Sequence, residues 1–478
     1  MNNMVNKGDR VLVYVVSMAF GIILGVLIGY SPYGIVALLV GVAVIAITVN
    51  NPIKALGFLI IMSPFAGTIY LREAFLDIAG FKPMQIMASI VMLFCTMKYS
   101  FSIKMPRWVF YSSIAIIGIF TISIIRSIPY LDLYNQFNYP ATDLSTKGYI
   151  LSAYVKPLIY FLPFVVIVKF GVKKEDIAFI MNIVYVTIIL LSIHILYLYV
   201  FQMRSLGFEG ISNYYETYYG LHRNDLATFY VIGVPISLTH IFFNRKISDI
   251  IFHIFIFFAI GILFSRTAYI TTVLAIFMYF VILKRSKILM FIVMGLIIVP
   301  IIFLGGIAER VTERATTGIK TKSKDVILSS RLDSIWIPLV REYIENPKKV
   351  LIGNGRYSIL ASKAREKGYI WSVIGHPHNM YLEMIIDAGL IGIIIYSLFY
   401  YKIVRNAVKT LRFLEDERIK EYIYANLLSI ISFAVCGLTG RSLFPRPENI
   451  FIWIILGCTI AVCEISAKNR FNKDEANT

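Results

Sequence analysis

The hydrophobic residues of this chain come in unbroken runs rather than in stripes. Segments apolar on every side occur at Val11–Tyr30, Gly34–Val49, Ala55–Tyr70, Met84–Met97, Trp108–Ile125, Tyr149–Val168, Ile177–Val200, Leu226–Phe243, Ile250–Phe264, Thr267–Leu283, Ile288–Gly305, Met380–Tyr401, Tyr422–Leu438 and Ile450–Cys463. A helix that is apolar all round is enclosed by lipid or by other helices, and about 20 such residues cross a bilayer. Backbone polar groups in lipid must pair within their own segment, so the spans are helices. The period-two alternation of membrane strands is absent. The pattern predicts an all-α polytopic membrane protein with about 14 transmembrane helices.

The polar positions then orient the chain. One set of loops carries Lys7 and Arg10; Lys54; Lys98, Lys104 and Arg107; Lys169, Lys173 and Lys174; Arg245 and Lys246; Lys284, Arg285 and Lys287; Lys402, Arg405, Lys409 and Arg412; and Lys468 and Arg470. These loops alternate with the others, so by the positive-inside rule they are cytoplasmic and so are both termini. The stretch Ile247–Leu283 is too long for one span. Ser265–Arg266–Thr267 interrupts it, which predicts two short helices joined by a tight outer turn. Gly21, Gly25 and Gly29 repeat every four residues and mark a close helix-packing face in the first segment.

One outer loop, from Gly306 to about His378, is long enough to be folded or functional. It divides the chain into amino-terminal spans (1–305), a large extracytoplasmic loop (306–378) and carboxy-terminal spans (379–478). Within it, Leu332, Ile335, Trp336, Leu339, Val340 and Tyr343 fall at helical spacing on one face. Ser329 or Ser330 can cap this helix, Pro338 is expected to kink it, and Pro347 lies beyond its end. "IGNGRYS" follows, with Gly353 and Gly355 in a tight turn; a Gly-x-Gly alone is weak evidence for phosphate binding.

Composition fits this picture. Hydrophobic residues make up 58% and charged residues 15% of 478, well below the charged share of globular domains. The net charge of +18 is explained by the basic loops, and no nucleic-acid-binding motif occurs. Cys95, Cys436, Cys458 and Cys463 all lie in apolar segments without a CxxC pair, against disulfide staples and structural metal. The first run is longer than a signal-peptide core and lacks a small-residue cleavage site, so a retained span is expected.

The candidate chemistry lies on the outer side. The loops Arg126–Lys156 and Gln202–Asp225 are dense in tyrosine, including Tyr215 and Tyr218, beyond what interface anchoring needs; stacking on sugars is the second role such rings can take. Asn224 or Asp225 is expected to cap the next helix. Arg126, Arg223, Arg266, Arg331 and Arg441 sit near span ends, either as snorkelling anchors or, if they converge, as a diphosphate clamp. In "GHPHNMYLEMIIDAGLIG" two of the six histidines, His376 and His378, precede a membrane helix that Asn379 can cap. The helix dipole disfavours a charged imidazole there, leaving His378 neutral and competent as a base. A metal site built on both histidines lacks an obvious third ligand, although Glu383 and Asp387 share the helix. His194 and His253 fall in mid-span and read as helix-packing residues.

His378-Asn379, nine residues, then Gly389-x-x-Gly392 resembles the signature of the O-antigen ligase and polymerase family of bacterial membrane glycosyltransferases. "FSRTAYI", "SSRLDSIW", "LIGNGRYS" and "LHRNDLA" resemble further family segments in order, with Asp225 standing where a second Asn-type residue is expected. The resemblance covers roughly Leu221 to Gly392. It implies a GT-C-like fold in the bacterial cytoplasmic membrane, and en bloc transfer of a glycan from undecaprenyl diphosphate to a hydroxyl at the outer face, with inversion and without metal or cofactor. His378 is then the catalytic base. Arg266, Arg331 and Arg223 hold the diphosphate, and His376, Asn379, Tyr215 and Tyr218 contact the glycan. The implied partners are the lipid-linked donor, a glycan or lipid acceptor, the bilayer, a flippase and a chain-length regulator. The competing expectation is a polytopic solute transporter, of the bicarbonate or polysaccharide-export kind. Transporters, however, place ionisable residues and broken helices at mid-membrane.

Overall fold

The computed structural model describes residues 51–69, 71, 82–98, 105–137, 145–171, 173–244, 246–283, 331–367, 375–440 and 442–476. The expected segments Val11–Tyr30, Gly34–Val49 and Ile288–Gly305, the Gly21, Gly25 and Gly29 face, the Ser329 or Ser330 cap and Arg441 lie outside them. The other expected apolar segments are helical over most of their described residues, the one at Ala55–Tyr70 as far as Phe65. The principal helices are α1 (Pro52–Met62), α2 (Pro83–Lys98), α3 (Arg107–Ser127), α4 (Lys156–Phe170), α5 (Lys174–Leu198), α6 (Phe208–Tyr219), α7 (Arg223–Asn244), α8 (Ile247–Ile262), α9 (Arg266–Ile282), α10 (Ile337–Ile344), α11 (Pro347–Ile352), α12 (Met380–Leu411), α13 (Glu417–Cys436) and α14 (Ile450–Ala476). Among the described residues seven helical stretches are long and apolar enough to cross a membrane, and Ile53–Phe65, Ile247–Ile262 and Arg266–Ile282 are shorter apolar helices. The count of about 14 full spans is therefore not reached within these residues. The stretch Ile247–Leu283, as expected, is two short helices, α8 and α9, broken at Phe264, whose backbone is left-handed (φ 50°).

The bundle runs up and down. At one end Lys174 pairs with Asp416 (3.4 Å), Arg418 reaches Asn182 (3.5 Å), and the Arg470 guanidinium lies 4.6 Å from the Phe413 ring centre. At the other end Arg126 donates to the Ile352 carbonyl (2.9 Å), Thr267 bonds to Thr439 (2.6 Å), and the Met380 N–H donates to the Gly437 carbonyl (2.9 Å). The loops that charge separated in the sequence thus meet their own kind at opposite ends. Helix α7 runs through the centre, packed on α13, α9 and α5. At its cation-rich end the bundle encloses polar side chains that bond to one another. Tyr185 donates to Asp249 Oδ1 (3.1 Å), His253 Nδ1 bonds to the Asp249 carbonyl (2.6 Å), and His240 stacks on Tyr185 with ring centres 4.1 Å apart.

The helix expected in the large loop forms, with a different solution to its proline. A π-turn over Leu332–Trp336 leads into α10, so Pro338 falls in the first turn of the new helix, where its missing N–H costs nothing. Ile335, Leu339 and Tyr343 are buried against Ile359, Leu360, Ala364 and the top of α12 at Leu382 and Ile386, while Leu332 and Val340 stay exposed. Pro347 opens α11 behind an Asn346 cap.

Helix α12 is broken at Gly389, whose backbone is left-handed (φ 72°). The break leaves the Ile386 and Asp387 carbonyls without their partners one turn on. The Gly-x-Gly turn fills the gap: the Asn354 N–H donates to Ile386 O (2.7 Å) and the Gly355 N–H to Asp387 O (3.1 Å). Close approach requires glycine on both sides. A Cβ on Gly389 would stand 2.3 Å from the Leu351 carbonyl oxygen, and one on Gly353 2.4 Å from the Ala388 nitrogen. These two amides of Gly353–Gly355 are thus spent on a helix, not offered to a phosphate. What packs closest on Gly389 is the end of α11, at Leu351, and Gly353 just beyond it.

Candidate functional site

Four chain breaks meet at the end of the bundle opposite the cation-rich loops. The first is the turn before α12. Asn379 caps the helix through the Tyr381 and Leu382 N–H groups (3.0 and 3.1 Å), as its position in the sequence predicts. His378, just before the cap, is left-handed (φ 54°). A non-glycine residue in that conformation costs roughly 1–3 kcal/mol and persists where the surroundings over-determine it. Here the Trp336 indole N–H holds the Pro377 carbonyl (2.8 Å), the His378 N–H donates to His376 Nδ1 (3.3 Å), and the Met380 N–H is tied to α13. Among the described residues the non-glycine residues with positive φ are Phe264, Tyr357 and His378. All three lie at this end, beside the Ser265–Arg266 turn, the Gly-x-Gly turn and the histidine turn.

The second break is the start of the π-turn, where Arg331 donates to the Thr439 carbonyl (2.8 Å). The third is the start of α9: Arg266 is its first residue, and the next, Thr267, bonds to Thr439. Arg266 therefore joins Arg331 through one shared turn. The fourth is the start of α7. Its cap is neither Asn224 nor Asp225 but His222, whose Nδ1 accepts from the Asn224 N–H (3.1 Å). Arg223 follows and is buried.

Electrostatics bind these pieces together. Burial, reinforced by His376, Arg331 and His222, pushes the His378 imidazole down to about 2, so it is neutral. The His376 ring is open to solvent at a cavity mouth, yet surrounding protein lowers its basicity too; Glu383 and Asp225 act against the shift, Arg446 and Arg331 with it. The two rings meet edge to face with centres 4.1 Å apart. Three of the six histidines, His222, His376 and His378, thus share one field with Arg331.

A cavity of about 260 Å³ opens on the His376 side, walled by Arg356, Arg446, Glu383, Asp387, Tyr134 and Tyr357. Arg446 donates to Glu383 Oε1 (2.6 Å) and lies 3.8 Å from Glu448. Sequence reasoning passed over Arg446 and Arg356. The available signal was a basic residue between two prolines, "FPRPEN", in a short link between spans. Arg126, among the outer arginines, is engaged with Ile352 on the far side of the Gly-x-Gly turn. Tyr215 is fully buried. Tyr218 is nearly so, its hydroxyl on His194 Nε2 (3.2 Å), with Tyr219 on Nδ1 (2.7 Å). Both Tyr215 and Tyr218 lie in the packed side of α6.

Residues 251–397 match a family model described as O-antigen ligase. No curated protein matches the chain. The matched stretch contains Arg266, Arg331, His376, His378, Asn379, Gly389 and Gly392, while Arg223 and Arg446 fall outside it. This match, over the stretch that builds the histidine turn and the broken helix, supports assigning the chain to the O-antigen ligase/polymerase family.

Proposed function

We propose that this multi-pass bacterial membrane protein transfers a glycan en bloc from a polyprenyl diphosphate, undecaprenyl diphosphate in the expected case, to a hydroxyl acceptor at the outer face of the cytoplasmic membrane. The observation that carries this is His378, a neutral imidazole fixed in a left-handed turn beside Arg331. In the reaction an imidazole nitrogen of His378 takes the acceptor hydroxyl proton as that oxygen attacks the anomeric carbon. The bond from that carbon to the diphosphate oxygen breaks, its electron pair leaves with the diphosphate, and the configuration inverts. Arg331 and Arg266, with Arg223, meet the charge that grows on the leaving group, in place of a metal ion. His376 and Asn379 shape the glycan side, and the bilayer holds the polyprenyl tail.

A base as weak as the empty site makes His378 is poor at taking protons. Burial is the first cause of that weakness, with His376 and Arg331 behind it; a bound diphosphate adds negative charge that acts against the positive field and raises the basicity of His378. A solute transporter also uses broken helices, but here the broken carbonyls of Ile386 and Asp387 are sealed by Asn354 and Gly355.

The test is the surface-glycan profile of cells carrying His378→Ala with normally inserted protein. Expected is loss of product with accumulated lipid-linked glycan; retained product overturns the catalytic role. Loss of long chains with single repeats still attached marks a polymerase, and accumulated long lipid-linked chains mark a ligase. Normal glycan with an uptake defect marks a transporter.

A further inference from the structure

We propose that the cavity behind His376 is a monosaccharide subsite that holds the acceptor sugar. The inference rests on the glycan-transfer function and names what occupies the space that His376 walls.

The chemistry of the walls selects the occupant. Two guanidiniums, Arg356 and Arg446, and two carboxylates, Glu383 and Asp387, line one small space. An anion there would face both carboxylates, and a cation would face both arginines. A neutral polyhydroxylated ring uses both, giving hydroxyl protons to the carboxylates and lone pairs to the guanidiniums. The Tyr134 and Tyr357 rings, 4.3 Å apart, add an aromatic wall for the C–H face of a pyranose.

Asp387 supplies an independent sign. It is 3% exposed, and its Oδ2 is buried without a hydrogen-bond partner. An unpaired buried acceptor costs roughly 1–3 kcal/mol, and a sugar hydroxyl removes that cost. The volume of about 260 Å³ falls just under the ~300–1,000 Å³ of drug-sized sites, enough for one ring and not for a chain. The position fits as well. His376 forms one wall, and its ring touches His378, so the cavity lies one side chain away from the base.

The test uses the full-length protein in lipid nanodiscs and alkyl glycosides of a neutral hexose, an N-acetylhexosamine and a uronic acid as probes. Binding is read from tryptophan fluorescence, since Trp336 holds the Pro377 carbonyl beside the cavity. Expected is saturable binding of a neutral glycoside, weakened about tenfold by Asp387→Asn, the loss of one hydrogen bond to the carboxyl group. Gly375→Val tests the same space by size. Among the described residues a Cβ at Gly375 meets the Tyr357 ring, at 3.9 Å, an ordinary van der Waals contact, and it narrows the mouth. It should weaken the same glycoside about tenfold. No binding of any glycoside, or binding that both variants leave unchanged, overturns the subsite, as does preference for the uronic acid.

With lipid-linked donor added, the bound glycoside should be extended and appear at the reducing end of the product. A glycoside that binds and inhibits without being extended would place the donor's own sugar in the cavity and overturn the acceptor assignment. His378→Ala should keep glycoside binding and lose extension. If extension survives that variant, the proposed function fails while the binding result still judges the cavity.

Discussion

Two groups of ionisable residues sit at opposite ends of the same bundle, and they are built differently. At the cation-rich end, Tyr185, Asp249, His240 and His253 come from regular stretches of α5, α7 and α8 and bond or stack on one another. At the other end, His376, His378, Arg331 and Arg446 come from turns and helix starts, three of the residues around them have left-handed backbones, and a cavity lies alongside. Polar groups that bond and stack between regular helices glue helices together. Polar groups held in strained turns beside open space are the arrangement expected of chemistry.

Matched substitutions at the two ends would sharpen or break that contrast. The largest expected effect is on His378→Ala, which should lower transfer by roughly 10²–10⁴ without lowering thermal stability. His253→Ala should instead leave transfer in place and cost about 2 kcal/mol of stability, through its lost bond and a cavity. Both are read by transfer assays and thermal unfolding of purified protein, and equal loss of transfer in the two variants would erase the distinction. Next, Arg331→Ala should lower kcat/KM for the lipid-linked donor by roughly 10²–10³. Arg331→Lys should restore only part of that, because an ammonium lacks the planar fork. Full rescue by lysine would reduce Arg331 to a point charge.

Gly389→Ala strikes between the two ends. The added Cβ meets backbone in a conformation that L-residues avoid, so about 3 kcal/mol should be lost. Tyr185→Phe should cost only about 1 kcal/mol, and the order of the two melting temperatures checks the ranking. The smallest effect is on the pH profile. With its imidazole pushed down to about 2 by burial, His376, Arg331 and His222, His378 stays neutral in free enzyme through mild acid. The profile of kcat/KM should therefore show no acid limb near 6.5. That of kcat should show its acid limb at higher pH than kcat/KM does, because the bound diphosphate raises the base. For folding the sign is the same: the unfolded histidine takes a proton near 6.5 and the folded one does not. The stability it contributes is present above 6.5 and is lost as the pH falls below that.

Much of the helical layout was legible because lipid imposes one rule on every span. The apolar runs gave the helices, and the lysines and arginines gave the alternation of ends. Asn379 was legible as a cap because the capping bond is local. What depended on contacts across the chain was not. The Arg446–Glu383 pair joins residues 63 apart, and nothing in either stretch names the other. Gly353–Gly355 was legible as a tight turn, but its partner, a carbonyl pair at the kink of α12, lies in another element. Tyr215 and Tyr218 had the composition of a sugar platform, and the rotation of α6 turned them inward. The expected cap of α7 was Asn224 or Asp225, the stronger cap formers, and His222 caps it instead.

The break in α12 also bears on how the chain is put into the membrane. A span whose amides and carbonyls all pair internally can enter lipid alone. Helix α12 cannot, because two of its carbonyls are answered only by Asn354 and Gly355, and each left open in hydrocarbon costs several kcal/mol. The donors belong to the segment synthesised just before it. Loop and helix are therefore one folding unit: the Gly-x-Gly turn precedes the helix in the chain and supplies the donors that meet the carbonyls at its break.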